Sequence, residues 1–132
     1  FQPAFSECMY GGTVAKSQAD MDRIHEAVAR RFEGDARVVI HRASSDAAAG
    51  SFAAGSFDWI YVDGNHDYEF VRRDLATYFP KLRPGGILAG DDYDWGRSLG
   101  CPVRRAVDEF ARRPGAAGLR TRGGQFLLRK AP

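Results

Sequence analysis

Two short apolar runs dominate the hydrophobic pattern, and each ends in acid. Trp59-Ile60-Tyr61-Val62 stops at Asp63, and Gly86-Ile87-Leu88-Ala89 passes Gly90 and stops at Asp91-Asp92. Apolar runs of this length bounded by turn residues read as strands. Between them Tyr68, Val71, Leu75 and Tyr78 or Phe79 recur at helical spacing, from about Asp67 to Phe79, and Pro80 helps to end that helix. Strand, helix, strand is a crossover unit, which makes the two strands parallel. Their C-terminal ends then share one sheet edge, where open α/β sheets hold ligands. Asp63, Asp91 and Asp92 are expected to meet there.

Upstream, Met21, Ile24, Val28 and Phe32 form a second helical stripe, predicted to be buried. Ser17 and Asp20 make an S-x-x-D start signal for it and Gly34 ends it. Arg37–His41 (RVVIH) reads as a short β-branched strand that leads into the polar turn Arg42-Ala43-Ser44-Ser45-Asp46. Residues 46–55 read as a short helix and loop. Downstream, Arg83-Pro84-Gly85-Gly86 is a tight turn before the second strand, and Tyr93 to Cys101 is a loop. Pro102 suits the first position of a helix striped by Val103, Ala106, Val107 and Phe110. Leu119–Arg122 and Gln125–Arg129 flank Gly123-Gly124, the signal for a hairpin with a two-residue turn. Residues 1–16 have no clean period. Their Phe1, Phe5, Met9 and Tyr10 either pack on a surface or form a lid. The alternation predicts an α/β fold with a mostly parallel sheet, closed by a C-terminal antiparallel hairpin that adds one antiparallel strand.

At 132 residues the chain is expected to be a single domain, 1–132. Its 44% hydrophobic and 27% charged residues are ordinary for a globular protein, and a net charge of +2 selects no partner. Eight Arg or Lys follow Cys101 against only Asp108 and Glu109. They read as solvated helix and strand faces, so no nucleic-acid partner is expected. Cys8 and Cys101 stand outside any CxxC pair. That excludes a zinc ribbon and favours a reduced, cytoplasmic setting. No apolar run approaches the ~18 residues of a membrane span.

Three carboxylates at one strand edge could bind a hard cation such as Mg²⁺, which takes oxygen ligands. The alternative is a set of helix caps and turn carboxylates. His66, three residues after Asp63, could accept a proton beside such a cation, or could be a surface or capping histidine. Gly64-Asn65-His66-Asp67 spells GNHD, as in metallophosphoesterases. A metal-dependent phosphohydrolase would also need a D-x-H and later histidines. No D-x-H occurs, and His25 and His41 both lie upstream.

The stretch FDWIYVDGNHDYEFVRRDL…LRPGGILAGDDY, followed by VRRAVDEF and the hairpin LRTRGGQFLLRK, resembles class I S-adenosylmethionine-dependent methyltransferases. The nearest likeness is to the small-molecule O-methyltransferase branch and its metal-assisted members, over roughly residues 17–130. The resemblance implies a Rossmann-like fold and methyl transfer to a hydroxylated small molecule. It places Asp63, Asp91 and Asp92 as Mg²⁺ ligands, with His66 where those members carry a catalytic base. Ser44, Ser45 and Asp63 fall at positions of cofactor contact, Asp46 is a further candidate, and Trp95 falls in the acceptor pocket.

The first two strands of that family are missing from the chain. Nothing before Ser17 resembles the glycine-rich turn that lets backbone approach the cofactor, or the acid that follows the second strand. Arg37–His41 and the free side of Trp59–Val62 would then lack neighbours, and an open sheet edge invites pairing. A truncated domain, a partner that fills the gap, or a homo-oligomer each follows. A non-catalytic remnant serving as an interaction module is the alternative to an enzyme.

Overall fold

The structure is a computed structural model that describes Ala15 and residues 17–132. The chain forms two compact units, Phe1–Ser44 and Ser45–Pro132.

In the first unit, α1 spans Gln18–Arg31. Ser17 caps it as its spacing predicts: the Asp20 amide donates to Ser17 Oγ at 3.2 Å. The apolar stripe keeps its helical spacing but is not buried. Ile24, Val28 and Phe32 are 38–40% exposed, because the described residues of this unit supply no second layer to cover them. The expected strand at Arg37–His41 is also absent. Its sequence is β-branched, but a strand needs a neighbour for its amides and carbonyls. No strand is present among the described residues of the first unit, and Val39 is 74% exposed. Both differences have one cause: the local pattern finds no strand and no second apolar layer among the described residues of this unit to complete it. The lid or packing role expected of residues 1–16 lies outside the described residues, apart from Ala15.

The second unit carries α2 (Ser45–Ala49), β1 (Phe57–Val62), α3 (Tyr68–Tyr78), β2 (Leu82–Gly90), α4 (Pro102–Ala111), β3 (Ala116–Arg122) and β4 (Gln125–Lys130). The four strands form one sheet in the order β1-β2-β4-β3. β1 and β2 are parallel, joined through α3 as the crossover argument requires. The hairpin inserts β4 antiparallel beside β2, and β3 lies at the far edge. Three strands therefore point one way and only β4 opposes them. Gly123 and Gly124, at φ 58° and 82°, make the tight hairpin turn, since two positive φ values in succession define the favoured type.

The Pro84-Gly85-Gly86 turn lies inside β2 rather than before it. Register jumps from Phe57 opposite Leu82 to Trp59 opposite Ile87, so the turn bulges from a strand that begins at Leu82. Helices α3 and α4 bury Val71, Leu75, Val103, Val107 and Phe110 against Leu82, Leu88, Phe126 and Leu128 of the sheet. Burying each such side chain contributes about 1.5–3 kcal/mol. This core fixes the C-terminal ends of β1 and β2, where the acidic residues lie.

Candidate active site

Val62 pairs with Gly90 at the ends of β1 and β2, so Asp63 and Asp91 leave the sheet side by side. The Asp91 amide donates to Val62 O at 3.3 Å, which carries the ladder one step further. The chain then turns sharply. Asp92 adopts a left-handed conformation, φ 59°, which costs a non-glycine residue about 1–3 kcal/mol. Its amide donates to Asp91 Oδ1 at 2.9 Å, and its carbonyl accepts from the Trp95 amide at 2.8 Å. These two bonds hold the turn.

That turn sends the adjacent carboxylates apart. Asp91 Oδ2 accepts from the Tyr61 hydroxyl at 3.3 Å, and the same hydroxyl accepts from Gln125 Nε2 at 2.8 Å. Partial desolvation and the neighbouring Asp91 carboxylate push the Tyr61 phenol above its usual range. Asp92 instead faces His66, with Oδ2 3.0 Å from Nε2, and Asp63 Oδ1 lies 3.9 Å from the same nitrogen. One ligand atom from each of Asp63, His66 and Asp92 lies within 4.8 Å of the others. The Trp95 ring stands 5.1 Å from the imidazole, tilted by 53°.

This donor set can be tested against a cation. Mg²⁺ with ligands at about 2.1 Å holds adjacent ligand atoms about 3 Å apart and opposite ones about 4.2 Å apart. Two carboxylate oxygens and an imidazole nitrogen within 4.8 Å fit such a centre after small side-chain adjustments. The oxygens suit a hard ion better than the nitrogen does.

The loop after the turn is clamped. The Tyr93 amide donates to Gly124 O at 2.7 Å, and its hydroxyl donates to Asp108 Oδ1 at 2.7 Å. Arg104 stacks over the Tyr93 ring at 5.1 Å and pairs with Asp94. Burial and the Asp108 hydrogen bond push the Tyr93 phenol up to about 12.

Asp63 also borders a cleft of about 320 Å³, lined with it by Ser45, residues 60–62, Gly64, Asp74 and Tyr78. Asp63 thus borders both the cleft and the Asp63–His66–Asp92 cluster. Of the two serines expected to touch a cofactor, Ser45 lines this cleft and Ser44 belongs to the first unit. Asp46 pairs with Arg73 at 3.1 Å. Sequence reasoning missed Asp74 and Tyr78. A signal was present: Val71, Asp74 and Tyr78 are spaced i, i+3 and i+7 on one helix face, so an acid sits on an apolar stripe.

A methyltransferase-domain family matches residues 7–93. No curated protein gives a significant match. Among solved structures, a Corynebacterium glutamicum protein superposes with a TM-score of 0.66 at 17% identity, over 87% of this chain and 58% of that one. The O-methyltransferase NovP gives a TM-score of 0.63 at 21% identity, over 89% of this chain and 46% of that one. MycE methyltransferase from the mycinamycin biosynthetic pathway, in complex with Mg, SAH and mycinamycin VI, gives 0.50 at 22% identity, over 66% and 28% respectively. The chain therefore spans less than three fifths of the length of these proteins, and at such identities the likeness establishes the fold.

Proposed function

The chain belongs to the methyltransferase-domain family, and from that premise we propose that it carries the acceptor and metal side of an S-adenosylmethionine-dependent O-methyltransferase acting on a hydroxylated small molecule. The observation that carries this reading is the convergence of Asp63, His66 and Asp92 within 4.8 Å at the ends of two parallel strands. Support for an oxygen acceptor and for Mg²⁺ comes from fold relatives, one described as an O-methyltransferase and another in complex with Mg and SAH.

Asp63 and Asp92 would hold Mg²⁺, with Asp91 beside them and tied to Tyr61. When bound, that ion supplies positive charge that favours the ionised form of a substrate hydroxyl. His66 takes the hydroxyl proton on its imidazole. Asp92, with Oδ2 3.0 Å from Nε2, orients the ring. The Trp95 ring covers one flank of the imidazole and limits how an acceptor approaches it. Ser45 and Asp63 border the cleft assigned to the cofactor, and Ser44 is assigned to the same task from its place in the sequence. When bound, S-adenosylmethionine would supply the sulfonium methyl group to the acceptor oxygen, the carbon–sulfur bond breaking as the carbon–oxygen bond forms. For that step the protein supplies mainly placement and fixed charge.

Among residues of the second unit His66 is the single histidine. The two-metal arrangement suggested by the letters GNHD therefore lacks its other imidazoles there. No helix among the described residues is long and apolar enough to cross a membrane.

Calorimetric titration of S-adenosylmethionine into the intact protein, with and without Mg²⁺, tests the proposal. Labelled-methyl transfer to a panel of hydroxylated small molecules accompanies it. Cofactor binding, with Mg²⁺-stimulated transfer, is expected. Absence of cofactor binding overturns the enzymatic reading and leaves the interaction module.

A further inference from the structure

Asp74 is the buried charged residue of the described chain, only 8% exposed, and the chemistry above does not use it. Taking a carboxylate out of water costs several kcal/mol unless partners compensate. Here desolvation raises its pKa, while a hydrogen bond from Ser45 opposes that shift. Helix α3 grips α2 twice more. The Tyr78 hydroxyl donates to Ser45 O at 2.7 Å, and Arg73 pairs with Asp46 at 3.1 Å. Ser45 is thus held by its hydroxyl and by its carbonyl from successive turns of one helix. On its other side the Asp74 carboxylate lies under the turn after Asp63. A Cβ added to Gly64 would come 3.6 Å from Asp74 Oδ2. Asp74 therefore spans the two walls of the cleft that Ser45 and Asp63 both line.

We propose that Asp74 is a positioning residue, which holds the Ser45 hydroxyl at a fixed place opposite Asp63 so that the cleft is shaped before the cofactor arrives. The inference rests on the reading of this cleft as the S-adenosylmethionine site. It assigns Asp74 to cofactor affinity and not to the metal or to the methyl-transfer step. A pre-shaped wall raises affinity by removing the ordering cost from the binding event.

The test measures S-adenosylmethionine affinity, Mg²⁺ affinity and steady-state kinetics for wild type, Asp74→Ala, Asp74→Asn, Ser45→Ala and the Asp74→Ala/Ser45→Ala double variant. Loss of one hydrogen bond to a charged group predicts about a tenfold rise in cofactor Kd and KM for Asp74→Ala. kcat at saturating cofactor and Mg²⁺ affinity should not move. Ser45→Ala should lose as much, and the double variant no more than either single one. Asp74→Asn keeps an acceptor for the Ser45 hydroxyl and should recover most of the loss. Unchanged cofactor affinity in Asp74→Ala overturns the proposal, as do multiplying losses in the double variant or a fall in kcat alone. If Asp74→Ala fails to fold by circular dichroism, the comparison of Ser45→Ala with Asp74→Asn decides in the same way: a tenfold loss in the first alone supports the role, and equal affinities overturn it. A wild-type protein that binds no cofactor overturns the underlying reading, and it does so before any variant is made.

Discussion

His66 Nε2 and Asp92 Oδ2 lie 3.0 Å apart although the two residues leave different strands. The contact depends on the left-handed turn at Asp92, which swings its side chain away from Asp91 and toward the β1 end. An imidazole oriented by a carboxylate beside a second carboxylate can accept a proton from a bound hydroxyl. His66→Ala should therefore lower kcat by about 10²–10⁴-fold, the range for loss of a positioned base. Asp92→Asn should weaken Mg²⁺ binding as well as kcat, whereas His66→Ala should leave most of the Mg²⁺ affinity. Turnover measured across a Mg²⁺ titration separates the two.

Gly90 closes β2 at the point where the site begins. A Cβ placed there would lie 2.5 Å from the Phe126 ring and 2.5 Å from Val62 O. The ring is wholly within the core and the carbonyl belongs to the sheet ladder, so neither can retreat. Gly90→Ala should cost about 1–3 kcal/mol of stability, as overpacking does. Chemical denaturation should show a lower midpoint with an unchanged slope. The displaced β1–β2 register should also weaken Mg²⁺ binding, because Asp63 and Asp92 follow the two strand ends that it would move apart.

Much of the second unit was legible because its residues satisfy local and tertiary demands together. The stripes Val71–Leu75 and Val103–Phe110 recur at helical spacing and face a sheet that buries them. Gly123-Gly124 demands positive φ twice and receives it. Local pattern did not suffice for Arg37–His41, which has strand composition while the described residues of its unit contain no strand to pair with. Ile24, Val28 and Phe32 likewise have helical spacing and stay 38–40% exposed. At the site, parallel strands predict that Asp63, Asp91 and Asp92 share one sheet edge; the structure groups Asp63 and Asp92 with His66 and ties Asp91 to Tyr61. The division of labour between Asp91 and Asp92 does not follow from parallel strands, because alternation along an extended strand says nothing about a left-handed turn. Helical spacing marks Asp74 as an acid on an apolar stripe, but its partner Ser45 is remote in sequence, and no periodicity reports a contact of that kind.

Tyr93 should make the protein sensitive to alkali. Its phenol is raised to about 12 in the folded state from an ordinary value of 10.0. The folded protein therefore keeps a proton that the unfolded chain releases. Its contribution to stability is fully present below pH 10 and is lost as pH rises through about 12. Tyr61, Tyr68 and Tyr78 are raised too and act in the same direction. The informative quantity is thus the difference between wild type and Tyr93→Phe. Urea denaturation from pH 8 to pH 12 should show the wild-type advantage shrinking above pH 10, and a difference that stays constant would sink the assignment.

Asp74 gives the complementary test at acid pH. Desolvation raises its pKa above 3.8, so the folded state favours the protonated carboxyl. A raised carboxylate pKa contributes stability below the unfolded value, and that contribution disappears as pH rises through the folded value. At neutral pH the residue is a buried charge only partly offset by Ser45. Asp74→Asn retains the acceptor and removes the charge. It should therefore be more stable than wild type at pH 7, and the advantage should fade as pH falls toward 3.5. Denaturant midpoints at the two pH values check the sign. A variant less stable than wild type at pH 7 would show that the ionised carboxylate is compensated more fully than the Ser45 contact provides. Combined with the affinity measurements on the same variant, this separates what Asp74 costs the fold from what it does for the cleft.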